Sequence, residues 1–376
     1  MSVIYRKEID GLRALAVIPV ILFHAGFEWV SGGYVGVDIF FVISGYLISS
    51  ILLGELQSGT FSVRNFYERR ARRILPALFV VLLCCLPFAW LWLLPEELKG
   101  FGESLIAVVT FMSNILFWQE TDYFTSGSDL IPLLHTWSLA VEEQFYIVFP
   151  LFLALFWKKG GATLFIIISV LALLSLGLTE WGWRYFPEAN FYLIPTRAWE
   201  LMIGALVAFY LFYKDKPQGK LNEVASLVGL AMIIASIFFL DKSLPFPSVY
   251  ALIPTVGTAL VILFANNNTL VNKVLSLKLF VGIGLVSYSA YLWHQPLFVF
   301  ARAYYMDEPN LWITSILSIG ALFLGYLSWR YVERPFRDKQ KFTQKKIFVS
   351  AFVASLLFIA VGLFFVLSDG AMYRFT

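Results

Sequence analysis

The chain is 376 residues long, and 59% of these residues are hydrophobic while 14% are charged. A soluble domain has about 25% charged residues, and so few charges cannot cover a water-facing surface of this size, which excludes a soluble enzyme, a disordered chain and a disulfide scaffold. The formal net charge of +3 is too small to indicate nucleic-acid binding. The composition therefore predicts a protein that lies in a lipid bilayer.

Twelve apolar stretches along the chain approach the length of about 20 residues that a membrane-spanning helix needs. They lie at about 12–30, 36–54, 74–95, 101–118, 137–157, 162–178, 198–213, 224–240, 250–265, 279–303, 311–332 and 347–367. These stretches are continuously apolar, whereas the strands of a membrane barrel alternate apolar and polar residues. The sequence therefore predicts an all-α polytopic membrane protein.

The distribution of Lys and Arg predicts how the chain crosses the membrane, because cytoplasmic loops are enriched in these residues. Arg6 and Lys7 place the N-terminus in the cytoplasm. The basic clusters all fall inside only if segment 101–118 does not cross, so we expect a re-entrant or surface element there, on the outer side. The loop that follows it is acidic, with Glu120, Asp122 and Asp129. This leaves eleven spans in a bacterial inner membrane, with the C-terminus in the periplasm.

A charged connector near the C-terminus is the one domain boundary that the sequence indicates. Residues 1–335 are expected to form a ten-helix membrane domain, residues 336–346 a cytoplasmic connector, and residues 347–367 an eleventh span. Residues 368–376 then form a periplasmic stub. Because a ten-helix bundle already has both ends inside, the extra span is expected to lead to a soluble periplasmic domain beyond residue 376.

Histidine and arginine in the first predicted helix are the first candidates for function, since ionisable groups at membrane depth are costly. The chain has three histidines, and all lie in or beside predicted spans. Arg13 and His24 are eleven residues apart, which is close to whole helical turns, so they share one face at a separation of about 16 Å. The alternatives are a snorkelling arginine and a histidine that makes a structural hydrogen bond.

A cluster of arginines forms the second candidate site, in the predicted cytoplasmic loop FYERRARRILP at residues 66–76. Its members are Arg69, Arg70, Arg72 and Arg73. Guanidinium groups bind phosphate oxygens in bidentate fashion, and a helix N-terminus adds a favourable dipole. Arginine-rich inner loops also arise from topology or from contact with anionic lipids. The pattern alone leaves both interpretations open.

Further polar residues lie at the ends or in the middle of predicted spans. His135, Glu142 and Glu143 lie in HTWSLAVEEQFY, where adjacent carboxylates point about 100° apart, so that both cannot face one site. The other candidates are Asp38, Ser44, Arg197, Glu200, Tyr291 and His294. Arg197 and Glu200 have the spacing of an i,i+3 ion pair. For this group, a structural hydrogen bond between helices explains the pattern as well as catalysis does.

Several of these motifs, in this order, make the chain similar to the acyltransferase-3 family of integral membrane O-acyltransferases. The resemblance covers about residues 5–337. It is carried by the basic-x10-His pattern of Arg13 and His24, GVDIFFVISGYLI at 36–48, FYERRARRILPA at 66–77, HTWSLAVEEQFY at 135–146, SYSAYLWHQPL at 287–297 and YVERPFR at 331–337. Among the family, the chain resembles O-antigen acetyltransferases, many of which carry a periplasmic SGNH domain.

The resemblance implies that acetyl-CoA, bound from the cytoplasm, is the donor, that no metal is needed, and that a hydroxyl of a surface polysaccharide or lipid-linked glycan outside is the acceptor. It also implies that His24 and Arg13 are essential. Arg70 and Arg73, or the overlapping pair Arg69 and Arg72, are expected to bind the CoA phosphates.

We therefore expect an enzyme that acetylates a surface polysaccharide across the membrane. His24 would be the general base or would carry the acetyl group briefly, and Arg13 would hold CoA or oppose the charge of its thiolate. Glu142 or Glu143 would orient a histidine or the acceptor. The alternative is a secondary transporter of an acyl donor or glycan, with the polar residues as a proton relay. Inverted repeats would favour transport, and the sequence has none that we detect.

Overall fold

The computed structural model describes residues 5–120, 123, 127, 130–214 and 216–374, which contain helices and no strand. Asp122 and Asp129 of the predicted acidic loop lie outside the described residues. The helices are α1 (Lys7–His24), α2 (Gly36–Gln57), α3 (Val63–Trp92), α4 (Pro95–Val109), α5 (Ser113–Glu120), α6 (Thr136–Phe156), α7 (Gly161–Tyr185), α8 (Pro187–Tyr192), α9 (Ile194–Tyr213), α10 (Leu221–Phe239), α11 (Leu252–Phe264), α12 (Leu270–Leu275), α13 (Lys278–Tyr305), α14 (Leu311–Ser328), α15 (Arg334–Arg337) and α16 (Gln344–Leu367).

Within the described residues, eight helical segments are long and apolar enough to cross a membrane. They are Gly33–Gln57, Val63–Trp92, Thr136–Lys159, Gly161–Tyr185, Pro187–Tyr213, Leu221–Phe239, Leu311–Arg337 and Gln344–Leu367, and each overlaps a predicted span. The chain is therefore an all-α polytopic membrane protein, as predicted. The prediction of eleven spans also counts α1, α11 and α13, whose crossing stays a prediction.

The first helix differs from its predicted span at both ends. It runs from Lys7 to His24, whereas the apolar pattern placed it at about 12–30. Gly26 has a φ of 85°, a left-handed conformation that glycine adopts easily and that ends helices. His24 therefore lies in the last turn of α1 and not in the middle of a longer span.

The segment predicted not to cross, 101–118, is divided between two short helices. Between α4 and α5, Phe111 has a φ of 56°, which interrupts the helical path. Neither helix is among the eight candidate spans. That this segment does not cross the membrane stays a prediction.

The chain divides into two compact units that interleave along the sequence. The first comprises Met1–Phe23, Phe27–Phe61 and Glu142–Ser287, and the second comprises His24–Gly26, Ser62–Val141 and Tyr288–Thr376. This division does not follow the predicted boundary at the charged connector. In the second unit, α16 packs against α3 and α4, so the last helix is an integrated part of that unit.

Close packing of α2 against α9 holds the first unit together, and glycines make it possible. A Cβ atom on Gly45 would lie 1.9 Å from the backbone oxygen of Leu201, and one on Gly204 would lie 2.0 Å from that of Val42. Small residues at such crossings let helix backbones approach each other in membranes. Ser44, which precedes Gly45, is half-buried.

Substitution Gly45→Ala is expected to destabilise the first unit by about 1–3 kcal/mol or more, since overpacking forces neighbouring backbone to move. The atom in the way is a backbone oxygen, which a side-chain rotation cannot remove. Thermal unfolding of the protein in detergent measures the effect. Gly177→Ala is the matched control, because nothing lies within 4 Å of its added methyl group. Equal melting temperatures for the two variants would contradict this packing.

Candidate functional site

The three histidines of the chain come together inside the second unit. The ring centroids of His24 and His294 are 5.1 Å apart, and those of His135 and His294 are 5.3 Å apart. The rings belong to the end of α1, the turn before α6 and the middle of α13. All three residues are buried, with His294 fully excluded from solvent. We call these three residues the histidine cluster.

His24 is held by two contacts, one at its ring and one at its backbone oxygen. Its Nε2 atom lies 2.9 Å from the hydroxyl oxygen of Tyr123. Arg302 donates a hydrogen bond of 3.3 Å to the carbonyl oxygen of His24, which lacks an intrahelical donor because α1 ends there. Arg302 also forms a 3.0 Å ion pair with Glu308. The end of α1 and the orientation of the imidazole are therefore fixed together.

Tyr291 links the other two histidines. Its backbone oxygen is hydrogen-bonded to Nδ1 of His294, and its hydroxyl donates to the backbone oxygen of His135 at 2.9 Å. The same hydroxyl lies 2.7 Å from the Oγ atom of Ser138. The Nε2 atom of His294 has no hydrogen-bond partner among the residues that the structure describes. One nitrogen of the central ring is thus fixed, and the other stays available for proton exchange.

The spacing of the rings limits the charge of the histidine cluster. Two protonated imidazoles about 5 Å apart repel each other by about 3 kcal/mol at an effective dielectric constant of 20. Burial, together with the adjacent His294, lowers the pKa of His135 well below its usual value, so this residue is neutral at pH 7. The cluster can therefore hold at most one proton at a time.

Three of the four residues predicted to be catalytic belong to the first unit, whereas His24 belongs to the second. Arg13 forms a 3.1 Å ion pair with Asp10, one turn earlier in α1. Glu142 accepts a hydrogen bond from the hydroxyl of Tyr146, one turn later in α6, and Glu143 is buried. Arg13 and Glu142 thus each have a partner within their own helix. Such contacts are found for structural residues as well as for catalytic ones.

The polar candidates of α2 and α9 form one buried ion cluster in the first unit. Arg197 lies 3.1 Å from Asp38 and 3.2 Å from Glu200, and all three side chains are at most 1% exposed. Aromatic rings surround the guanidinium at 5.5–5.9 Å, from Phe41, Phe191 and Phe246. The spacing of Arg197 and Glu200 suggested their pairing, but it did not indicate Asp38. Since removal of one partner leaves a buried charge uncompensated, this cluster fits a structural role.

The four arginines of α3 have different environments. Arg72 is 3% exposed and donates hydrogen bonds to Glu68 and to the backbone oxygens of Phe336 and Phe342. Its side chain therefore holds the connector after α14, which argues against a phosphate role for the pair Arg69 and Arg72. Arg70 and Arg73 are half-buried, and Arg69 lies beside the ring of Phe66.

A large cavity with several acidic residues in its lining also lies in the second unit, at the end where α3 meets α4. Its volume is about 1180 Å³, and it is lined by carboxylates of Glu96, Glu97, Glu103, Glu120 and Asp369. Gly127 and Leu130 line it as well, and they belong to the same loop as Tyr123, which contacts His24. Residues of the loop after α5 thus line the cavity and also contact the histidine cluster.

Tyr123, Arg302 and Glu333 also belong to these sites, although none of them was predicted from the sequence. Tyr123 lies in the acidic loop that drew attention only for its carboxylates. Arg302 is in the last turn of α13, a place where a basic side chain often meets backbone carbonyls. Glu333 is a fully buried carboxylate in the motif YVERPFR. Its charge at the end of a predicted span is the sequence feature that could have identified it.

Comparison with known proteins places most of the chain in one family. Residues 6–330 match the family described as "Acyltransferase domain". A peptidoglycan O-acetyltransferase, OatA, of Listeria monocytogenes is 33% identical over 97% of this chain and 64% of its own length. A putative O-acetyltransferase of Staphylococcus aureus is 33% identical over 89% of this chain and 58% of its own length, and a Staphylococcus aureus O-acetyltransferase, OatA, is 31% identical with the same coverage.

The chain therefore spans about three fifths of the length of the curated relatives that it matches. No solved structure matches it.

Proposed function

Because the chain belongs to the acyltransferase-3 family, we propose that it is a membrane-bound O-acetyltransferase. The donor is acetyl-CoA, bound from the cytoplasm, and the acceptor is a hydroxyl of a cell-surface glycan on the outer side. The observation that carries the proposal is the histidine cluster, in which three buried imidazoles meet within 5.1 and 5.3 Å of one another. Such a group can take up the proton that a sugar hydroxyl must lose.

In the proposed reaction, His24 accepts the proton of the acceptor hydroxyl while its oxygen forms a bond to the acetyl carbonyl carbon. The carbon–sulfur bond of the thioester breaks, and the CoA sulfur leaves as a thiolate. The proton held by the histidine cluster then neutralises this thiolate, so the products are an O-acetyl ester and free CoA. In the other route, His24 takes the acetyl group first and the hydroxyl attacks the acetyl-imidazole.

Two features support the assignment of donor and acceptor sides. Arg70 and Arg73 lie near the start of α3, where the positive-inside rule places the cytoplasm. The acidic cavity and the Tyr123 loop lie near the other end of α3, where we propose that the glycan enters. We place the protein in the bacterial cytoplasmic membrane, with the N-terminus inside and the C-terminus outside. The SGNH domain expected beyond residue 376 stays a prediction.

For the acceptor, the names of the relatives favour peptidoglycan over the O-antigen that the sequence suggested. The relative from Listeria monocytogenes is named a peptidoglycan O-acetyltransferase. We therefore propose a peptidoglycan-type glycan as the first acceptor to test.

The test uses the full chain in lipid vesicles. Acetyl-CoA with a labelled acetyl group is added on the side of the membrane where the arginines of α3 lie, and soluble peptidoglycan fragments are placed on the other side. The expected result is an alkali-labile ester on the glycan together with an equal amount of free CoA. CoA released without acceptor, in an amount equal to the enzyme, would indicate the acetyl-histidine route. Labelled donor that crosses the membrane with no ester formed would instead support the transporter alternative and overturn the proposal.

Substitution Arg70→Gln or Arg73→Gln is expected to raise the KM for acetyl-CoA about tenfold or more, with a smaller change in kcat. Charge-assisted contacts to phosphate act through affinity, at roughly twice the strength of neutral hydrogen bonds. Arg72→Gln is expected to lower protein stability instead, since Arg72 ties α3 to the connector. Steady-state kinetics and thermal unfolding separate the two effects. An unchanged KM with a collapsed kcat would assign Arg70 and Arg73 to the chemical step.

A further inference from the structure

The start of α3 and the segment after α14 form one strongly basic surface in the second unit. Residues 66–76 and 333–346 together carry ten basic and three acidic side chains. The acidic residues are Glu68, Glu333 and Asp338. Such an excess of positive charge in one place is suited to a ligand with several negative charges.

Arg72 and Glu68 join these two segments. The guanidinium of Arg72 lies 2.9 Å from the backbone oxygen of Phe336 and 2.6 Å from that of Phe342. Glu68 accepts a hydrogen bond from Arg72 at 2.8 Å and another from Gln344 at 2.7 Å. These contacts fix the connector against α3, so the positions of its arginines relative to Arg70 and Arg73 are determined by the fold.

Arg337 is a connector residue that is held by an ion pair. Its guanidinium forms an ion pair with Glu333, one turn earlier, and Glu333 also accepts a 2.6 Å hydrogen bond from Ser289. Glu333 is 1% exposed in its side chain, whereas that of Arg337 is 41% exposed. The pair thus has a buried acidic end and an exposed basic end. The hydrogen bonds of Arg72 to the backbone oxygens of Phe336 and Phe342 hold this part of the connector against the helix that carries Arg70 and Arg73.

The backbone at this place is also unusual. Residues Trp329–Glu333 form a single π-helical turn between α14 and α15. Such turns are rare and occur often at functional sites, because they change the direction in which the following side chains point. Here the turn places Glu333 inside the unit and begins the short helix that ends with Arg337.

From these observations we propose that Arg337, held by Glu333, completes a phosphate-binding site with Arg70 and Arg73. Its ligand is the phosphorylated nucleotide end of a coenzyme A thioester, and the proposal rests on the acetyl-CoA donor of the proposed function. One guanidinium group can bind two phosphate oxygens in bidentate fashion, so three of them together can hold more than one phosphate group. Arg337 lies beyond the matched family region, which ends at residue 330.

The experiment measures binding of acetyl-CoA to the purified full chain in a zwitterionic detergent. Arg337→Gln is expected to weaken binding about 10- to 100-fold, while Lys341→Gln, which removes an exposed charge from the same connector, changes it less than threefold. Since Arg337→Gln leaves Glu333 buried without its partner, the double variant Glu333→Gln/Arg337→Gln is measured as well and should show the same loss. Acetyl-pantetheine, which lacks the nucleotide phosphates, should serve all these variants equally as a donor.

Three results would overturn the assignment of Arg337. If Arg70→Gln weakens acetyl-CoA binding and neither Arg337 variant does, the proposed function stands and Arg337 is not part of the site. If the Arg337 variants lose only their attachment to phosphatidylglycerol vesicles, compared with phosphatidylcholine vesicles, the surface binds lipid headgroups. If the parent protein itself fails to bind acetyl-CoA, the donor of the proposed function is wrong, and the proposal for Arg337 is wrong with it.

Discussion

His24→Ala is expected to lower the rate of acetyl transfer by about 10²–10⁴-fold, the usual loss when a general acid–base group is removed. His24 is the histidine at the end of α1, where Arg302 fixes its backbone and Tyr123 contacts its ring. The substitution removes the group that we propose to accept the hydroxyl proton. The rate is measured as ester formed per inserted molecule, with labelled acetyl-CoA and a soluble glycan acceptor.

Tyr123→Phe is the matched control for His24→Ala. It removes the hydroxyl that lies 2.9 Å from the imidazole but keeps an aromatic ring against Trp137. We expect a loss of about fivefold, because one hydrogen bond contributes about 1 kcal/mol and fixes the orientation of the ring. His24→Ala protein that inserts normally and keeps more than a few per cent of the activity would exclude His24 as the base.

The helices were the most predictable part of the fold, and their ends were the least. Continuous apolar runs predict a membrane helix because lipid offers no other partner for the backbone. The end of α1 depends instead on one residue, Gly26, whose left-handed conformation no hydropathy pattern reveals. The break between α4 and α5 is similar, since it occurs at one residue with a positive φ, Phe111.

The individual residues of the candidate site could be predicted from the sequence, but the contacts between them could not. Charged and titratable residues at membrane depth were recognisable, because burying them without a role is costly. Which of them meet depends on contacts between distant segments, as for His24 and His294 or Asp38 and Arg197. A short pattern cannot encode such contacts.

The sequence also does not distinguish the roles of the arginines of α3, although they lie within five residues of each other. Arg70, Arg72 and Arg73 are equivalent as sequence, and the family resemblance allowed two overlapping pairs. Only the packing of the connector distinguishes them, since Arg72 is used to bind its backbone oxygens. The helical period places Arg72 on a different face from Arg70 and Arg73, but the pattern does not say which face meets the connector.

His294 provides the sharpest test of whether the histidine cluster acts as a unit. The ring lies between those of His24 and His135, and its Nδ1 atom is hydrogen-bonded to the backbone oxygen of Tyr291. If the ring passes the proton from His24 onward, His294→Phe is expected to lower the rate of acetyl transfer at least tenfold, although phenylalanine fills the same space. The KM for acetyl-CoA should stay unchanged, because the arginines that we propose for the phosphates are untouched.

A second variant at the same position distinguishes proton transfer from packing. His294→Ala leaves a gap of about the size of an imidazole ring, and added imidazole is expected to restore part of its activity, whereas His294→Phe leaves no room for such rescue. Phe298→Leu, next to His294 on α13, is the packing control and should keep most of the activity. Full activity in His294→Phe together with a defect in His294→Ala that imidazole does not repair would show that the ring only fills space. In that case the hydroxyl of Tyr123, which lies 2.9 Å from Nε2 of His24, would be the next group to test for proton exchange.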